Sequence, residues 1–385
     1  MSRLFAASKA ISYLLLVGTG IFSQQSSAYD LLADPLNALG GVSATPAKNA
    51  LGTSCQLVEH PASPLTLLDA VERTLCNNPQ TRLAWVNVKA QAASVGIGVS
   101  AYLPAINARG SVNKASKSSN FKGHPEYDTD VGTVEMEGGL NLNWVLYDFG
   151  LRSANLESAR QLLNAANASQ DDTLQTAFLN TAQAFYDAQA AQALLSANLE
   201  AEHAAEKSLN AAEAKYAAGA GTQADMLQAK TSYAQAVSKR VQSEGDVQST
   251  MGSLRILMGL RPNLELNSVG ISGETVDEPL FQQAVERLIE KAVHDHPKIL
   301  AAQAQVKAAE AKTDAVRAEG RPRLSLAAST DYFNTNATPI NNQGSSEQTV
   351  NSQRVGLQID IPLFEGFGRH YKINQAETQV ESKQA

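Results

Sequence analysis

The chain has 385 residues and a formal charge of −7; 43% of its residues are hydrophobic and only 6% are aromatic. The length allows two or three ordinary domains. Because the chain is net negative and has no basic stripe that would neutralise phosphates, nucleic acid is disfavoured as a partner.

The N-terminus has the pattern of an export signal. Arg3 and Lys9 precede an apolar run over 11–22, and small residues at 26–28 follow it. We therefore expect a signal peptide over 1–28 and a mature chain that begins at Tyr29. The apolar run is too short to span a bilayer, and no later stretch is long and apolar enough for a transmembrane helix. In a bacterial setting this predicts a periplasmic or outer-membrane protein.

An extended arm is predicted over 29–64, which is rich in Pro, Gly, Ser and Ala. The two cysteines of the chain, Cys55 and Cys76, lie in this arm and in the helix that follows it. In an oxidising compartment an even pair favours a disulfide, and the alternative is two unpaired thiols.

The helix after the arm opens with Thr66 as its predicted cap and Asp69 as the third helical residue, the spacing of a capping box. Pro79 interrupts it, and helical sequence resumes until about residue 102. The same pattern recurs later in the chain, with "AVER" at 70–73 and again at 284–287, and with Pro79 and Pro104 matched by Pro297 and Pro322. We predict a first structural repeat over 65–260, a linker over 261–278 and a second repeat over 279–385.

Each repeat contains strands with an alternating pattern. "MEGGLNLNWVLY" (136–147) and the residues 355–363 both alternate apolar and polar side chains, and each is preceded by another such strand. Polar segments over 114–130 and 334–353 are predicted as exposed loops. A transmembrane β-barrel has strands of this kind, and a soluble sandwich is the alternative.

The barrel interpretation assigns a face to each side chain. The residues predicted to face lipid are Met136, Leu140, Leu142, Leu146, Val355, Leu357, Ile359 and Ile361. The residues predicted to face the lumen are Glu135, Glu137, Asn141, Asn143, Gln358 and Asp360. Trp144, Tyr147 and Phe149 are expected in an aromatic girdle at the periplasmic end.

A single long helix is predicted over 151–218, because this segment contains no Gly or Pro. At 1.5 Å per residue it would be about 100 Å long, and its apolar spacing is typical of a coiled coil. Gly219 and Gly221 predict its end, and Thr222 with Asp225 predicts the capping box of a return helix. The hairpin is thus expected to turn at the end remote from the loop over 114–130.

Four strands leave open edges, which are not tolerated in hydrocarbon, so we expect three copies to share a twelve-stranded barrel. The predicted fold class is an α+β membrane protein, with a long antiparallel coiled-coil barrel joined to this shared β-barrel and an internal twofold repeat.

The motifs "LTLLDAVERTLCNNP", "YLPAINARGS", "NWVLYDFG", "KYAAGAGTQADMLQA" and "GSLRILMGLRP" together resemble the TolC family of trimeric outer-membrane channels, from about residue 65 to the C-terminus. The resemblance implies a passive exit duct for type I protein secretion or small-molecule efflux. Its implied partners are two further copies, a periplasmic adaptor, an inner-membrane ABC transporter or other pump, and outer-membrane lipid. Asp225 matches, by its position in the motif, an aspartate of the family's periplasmic constriction, and the tip Gly219–Asp225 would meet the adaptor.

The chain departs from the family pattern in its second repeat, where only a short segment follows Arg369 and no second hairpin is expected. The alternative function is a periplasmic coiled-coil adaptor without a pore. No enzyme motif, cofactor or metal site is predicted. Metal binding by His294, Asp295 and His296 is disfavoured because no third ligand lies nearby in the sequence. Asp171 and Asp172 point to different helix faces and are expected to be a solvated surface.

Overall fold

The computed structural model describes residues 34–40, 42, 64–125, 128–260, 291, 294–339 and 346–385. The chain forms two compact units, the first comprising Met1–Gly40, Gln91–Leu163 and Ala304–Ala385, and the second Gly41–Ala90 and Asn164–Gln303. Both units take segments from both sequence repeats. The predicted boundaries near 28, 64 and 278 fall at or beyond the edge of the described residues, and the domain division stays a prediction.

The first two helices are separated by Pro79. Helix α1 spans Leu67–Asn77 and opens with the predicted capping box, in which the Thr66 side chain accepts from the Asp69 N–H and the Asp69 side chain accepts from the Thr66 N–H. Helix α2 spans Pro79–Ser100. Asn78 lies between them in an extended conformation, as the residue before a proline prefers, and its Oδ1 accepts from the Gln80 N–H at 2.8 Å.

The predicted helical hairpin is confirmed. Helix α3 spans Leu151–Ala217 as 67 unbroken residues, and α4 returns over Gln223–Leu257. In the second unit Phe185 on α3 and Leu254 on α4 are buried in one core with Leu65 and Met258. Ala188 is also fully buried there. Among the helices of the described residues, none combines the length and apolarity needed to cross a membrane.

The first unit contains one four-stranded antiparallel sheet in the order β1-β2-β3-β4. The strands are β1 (Ala105–Ser119), β2 (Thr129–Tyr147), β3 (Arg323–Pro339) and β4 (Ser346–Asp360). Helix α5 (Pro297–Ala318) precedes β3, and α6 (Gly368–Gln384) follows β4. The order helix–strand–strand–helix therefore occurs twice, as α2-β1-β2-α3 and as α5-β3-β4-α6.

The strands are longer than the sequence predicted. They have 15 to 19 residues and extend well into the segments 114–130 and 334–353, so the prediction that these were wholly loops was wrong. An antiparallel ladder depends on backbone hydrogen bonds and can continue through polar residues that carry no alternating signal.

Candidate functional site

One face of the sheet is apolar over its part nearest the helices. The pairing places Met136 opposite Val112, Leu142 opposite Ile106 and Ala328, and Leu357 opposite Leu326. Leu140, Val355 and Ile359 belong to the same face, which we call the apolar face. Val355, Leu357 and Ile359 are 78%, 67% and 65% exposed, so within the described residues nothing covers this end of the face.

The opposite face is polar. The six residues predicted to face a lumen all lie on it: Glu135, Glu137, Asn141, Asn143, Gln358 and Asp360. It also carries Arg109 and Asp331, which occupy the same cross-strand row. The alternation read from the sequence therefore matches the pairing across all four strands, while the solvent that each face meets stays a prediction.

Two side chains depart from simple alternation. The register shifts between Val145 and Tyr147, so that Tyr147 rather than Leu146 lies opposite Leu324. Ile361 follows the last residue of β4, Asp360. A bulge inserts one unpaired residue, here Leu146. The alternating pattern that begins at Met136 does not reveal this bulge.

A charged row crosses three strands of the polar face. Arg109 Nη2 donates to Asp331 Oδ1 at 2.7 Å and lies 3.4 Å from Glu137 Oε1. Gly139 stands between Arg109 and Asp331 in the row, and a Cβ at this position would lie 2.7 Å from Asp331 Oδ1. Because Gly139 has no side chain, Arg109 of β1 can reach across β2 to Asp331 of β3.

Aromatic side chains gather where β2 meets the helices. Trp144 Nε1 donates to the carbonyl of Tyr102 at 2.8 Å, and the rings of Tyr147 and Phe149 meet edge to face at 4.6 Å. The three aromatic residues predicted for a girdle therefore lie at one end of the apolar face, where Tyr102 contacts Trp144 through its carbonyl.

The turn from β2 into α3 is fixed by an acid–arginine pair. Arg152 Nε donates to Asp148 Oδ2 at 2.7 Å, and Arg152 Nη1 donates to the Val145 carbonyl at 2.7 Å. Both charged side chains are almost buried, 12% and 9% exposed. Between them Phe149 and Gly150 have φ of 52° and 103°. Two successive left-handed residues reverse the chain, and the buried ion pair holds them there.

The turn from β4 into α6 repeats this arrangement. Arg369 Nη2 lies 3.0 Å from Glu365 Oε1, and Gly366 and Phe367 between them have φ of 57° and 64°. In the sequence, YDFGLR (147–152) aligns with FEGFGR (364–369), and this alignment matches Arg152 with Arg369. The same offset of 217 relates Asp148 to Glu365, and this was the signal available.

The hairpin tip is built from two capping motifs. Gly219 is left-handed at φ 76°, Ala220 N donates to Lys215 O at 2.9 Å, and Gly219 N donates to Tyr216 O at 3.0 Å. This is the Schellman pattern, which satisfies the last carbonyls of α3. Gly221 follows in a tight position, where a Cβ would lie 3.2 Å from the Lys215 Cβ.

Thr222 and Asp225 form the predicted capping box. Asp225 N donates to Thr222 Oγ1 at 3.1 Å, and Thr222 Oγ1 donates to Asp225 Oδ2 at 2.7 Å. The side-chain and backbone hydrogen bonds from Thr222 lower the pKa of Asp225, so this carboxylate is anionic and exposed at neutral pH. The capping role is confirmed, and the constriction role stays a prediction.

Two other groups that the sequence singled out are placed as follows. Asp172 lies 3.9 Å from Lys298 Nζ, and burial raises the pKa of Asp171. His296 Nδ1 accepts from the Lys298 N–H at 3.2 Å. Over the described residues no group of three or more His, Cys, Asp or Glu side chains is placed to hold a metal.

Cys76 is buried beside Val71, Leu75 and Ala177. Its predicted partner Cys55 lies outside the described residues, and their pairing stays a prediction.

The fold defines a class of protein. Among solved structures, the Campylobacter jejuni CmeC outer membrane channel resembles the chain with a TM-score of 0.66 and 17% identity, over 82% of this chain and 66% of that one. The outer-membrane channel OprN matches with a TM-score of 0.64 and 21% identity, over 82% and 68% of the two chains. The chain has the fold of the outer-membrane channel proteins, and the predicted fold class is confirmed.

Sequence comparison identifies the family. The outer membrane efflux protein family matches residues 70–260 and 288–385, and the chain belongs to this family. Protein CyaE of Bordetella pertussis is 28% identical over 321 residues, which are 83% of this chain and 65% of that protein. The proteases secretion protein PrtF of Dickeya chrysanthemi is 25% identical over 84% of this chain and 69% of its own length. The chain thus spans about 65% of the length of the first relative. Its location is the outer membrane, with the helices in the periplasm.

Proposed function

We propose that the chain is the outer-membrane component of a tripartite export system, a passive conduit without catalytic activity. The observation that carries this proposal is the sheet, whose exposed apolar face and charged face lie back to back in a member of an outer-membrane family. A lipid-spanning barrel wall needs both faces, because one meets hydrocarbon and the other meets the aqueous lumen.

The edges of the sheet support a shared barrel. In the described part of the chain β1 and β4 each pair on one side only. Unpaired backbone groups are prohibitive in hydrocarbon, so the edges must be satisfied by other copies. Three copies arranged around one axis would contribute twelve strands, and each β4 would pair with the β1 of the next copy.

Protein secretion is the cargo route we favour. Two relatives are named for protein secretion: PrtF is a proteases secretion protein, and AprF of Pseudomonas aeruginosa is an alkaline protease secretion protein. The solvent efflux pump outer membrane protein SrpC of Pseudomonas putida, 25% identical over 82% of this chain, represents the small-molecule alternative. Either route requires a periplasmic adaptor and an inner-membrane pump as partners.

Conduction is the direct test of this proposal. The full chain, reconstituted in a planar lipid bilayer, is expected to give discrete conductance steps. Because Asp225 is anionic and exposed, three copies of it around a constriction would favour cations, so Asp225→Ala should reduce the cation selectivity. Absence of steps from membrane-inserted protein would refute the conduit, and failure of the protein to insert would favour a pore-free periplasmic adaptor.

The tip is proposed as the surface that meets the adaptor. Ala220 is exposed and a glycine flanks it on each side, whereas the crowded position of Gly221 makes that residue a poor site for a probe. A photoreactive amino acid at Ala220 should crosslink to an adaptor in the bacterium that encodes the chain. The same probe at Gln242, exposed on α4 away from the tip, is the matched control. Equal crosslinking at both positions would contradict the assignment.

A further inference from the structure

A cleft in the first unit begins where the apolar face ends. The cleft has a volume of about 660 Å³, and its lining includes Tyr102 and Phe149. These two residues also contact the aromatic side chains of the apolar face, since the Tyr102 carbonyl accepts from Trp144 and the Phe149 ring packs on Tyr147. Trp144 and Tyr147 lie opposite Leu326 and Leu324 in the sheet. The cleft is therefore continuous with the aromatic end of the apolar face.

The remaining wall of the cleft is rich in arginine. Arg160, Arg317 and Arg321 line it together with the two acids Glu157 and Asp314. Arg317 is neutralised by Asp314 and Glu377, at 3.2 and 2.7 Å. Glu157 accepts from the amide of Gln161 at 2.7 Å.

Two arginines keep donors available for a ligand. Arg321 uses Nη1 to donate to the Phe149 carbonyl at 2.9 Å. Arg160 is exposed, and in the part of the chain that the structure describes it makes no hydrogen bond or ion pair. A guanidinium presents its N–H groups in a planar fork that matches phosphate geometry.

The apolar face, the aromatic residues and the arginine-lined cleft follow one another in the order of a phospholipid's acyl chains, interfacial region and headgroup. An apolar face suits acyl chains, aromatic rings favour the membrane–water boundary, and arginines beyond that boundary bind phosphate. We propose that the cleft binds the headgroup of an anionic phospholipid in the leaflet facing the periplasm, with Arg160 and Arg321 on its phosphodiester. This site rests on the proposed function, because it requires the apolar face to contact lipid.

Lipid retention by the purified full chain tests the site. Native mass spectrometry is carried out in detergent with phosphatidylglycerol and, separately, with phosphatidylcholine of the same acyl chains. Wild-type protein should retain phosphatidylglycerol more strongly. Each arginine near an anionic lipid is worth about fivefold in affinity, so Arg160→Gln should lower this retention about fivefold and Arg160→Gln with Arg321→Gln should abolish the preference. Arg82→Gln removes an exposed arginine of the second unit and should change nothing.

The single variant keeps the test decisive if Arg321→Gln disturbs folding, since Arg160 is exposed and makes no hydrogen bond or ion pair with the described residues. Equal retention of both lipids by wild type, or unchanged retention by Arg160→Gln, would overturn the site. Displacement of phosphatidylglycerol by inorganic phosphate would identify a free-phosphate site and also overturn it.

Flotation with vesicles separates this inference from the proposed function. If the protein inserts into phosphatidylcholine vesicles but shows no preference for phosphatidylglycerol, the headgroup site is refuted and the proposed function stands. If the protein inserts into vesicles of neither composition, both are refuted.

Discussion

Leu142 and Asn143 are neighbours in β2 whose side chains lie on opposite faces of the sheet. They form a matched pair with which to test the faces, because strand position and membrane depth are nearly the same for both. The difference between them is the environment each side chain meets.

We expect Leu142→Arg to block assembly in the outer membrane and Asn143→Arg to assemble normally. An arginine on the lipid face costs about 2–4 kcal/mol at the bilayer midplane and less towards the boundary with water, whereas one on the lumen face stays hydrated. Heat-modifiable migration of the membrane fraction in gels measures assembly. Equal assembly of the two variants would mean that the face assignment is wrong.

Asp225 allows a second test at the scale of single residues. Its pKa is lowered chiefly by the hydrogen bonds from Thr222, so its contribution to the stability of the tip is present above the pKa of the unfolded chain and is lost as the pH falls through the folded pKa. We expect Thr222→Ala to move the pKa of Asp225 back up towards its ordinary value.

The measurement is an NMR titration of the Asp225 carboxyl. Thr231→Ala is the control, because the Thr231 hydroxyl donates to the Leu227 carbonyl, within its own helix, and does not touch Asp225. If both variants left the pKa of Asp225 where it is in wild type, the capping box would not be its cause.

At the scale of elements, the two strand-to-helix turns use the same design with different burial. Asp148 and Arg152 are 9% and 12% exposed, whereas Glu365 and Arg369 are 44% and 28% exposed. Removing one partner of a buried pair leaves an uncompensated charge, but a more exposed pair contributes less.

Arg152→Ala should therefore destabilise the first unit by about 3–5 kcal/mol and Arg369→Ala by about 1 kcal/mol or less. Arg152→Lys should rescue only part of the loss, because an ammonium cannot reproduce the guanidinium's simultaneous bonds to the Asp148 carboxylate and to the Val145 and Leu146 carbonyls. Chemical unfolding monitored by circular dichroism gives the comparison. Equal losses in the two alanine variants would refute a role for burial.

The elements also show what the sequence could and could not predict. Helix α3 was predictable because no Gly or Pro interrupts 151–218, and the sheet faces were predictable because Met136, Leu140 and Leu142 alternate with polar residues. The shift at Val145–Tyr147 and the polar ends of the strands depend on which strand lies opposite, and a single strand's sequence does not contain that information. The offset of 217 relates both members of the two acid–arginine pairs, but the burial that distinguishes the pairs depends on the tertiary structure.

At the scale of the whole molecule, the repeat in the sequence and the units in the structure divide the chain differently. Each repeat supplies two strands to one sheet, so neither repeat could form the sheet alone. The two compact units instead separate the sheet and its adjoining helix ends from the hairpin. A sequence repeat need not fold by itself when its strands pair with those of the other repeat in the same chain.

The central claim is that this sheet is one part of a barrel wall shared between copies in the outer membrane. Native mass spectrometry of the assembly, extracted in mild detergent from isolated outer membranes, tests this claim most directly. We expect a particle with three times the mass of the mature chain, whose migration in gels changes on heating. A monomer recovered from the soluble periplasmic fraction would contradict it.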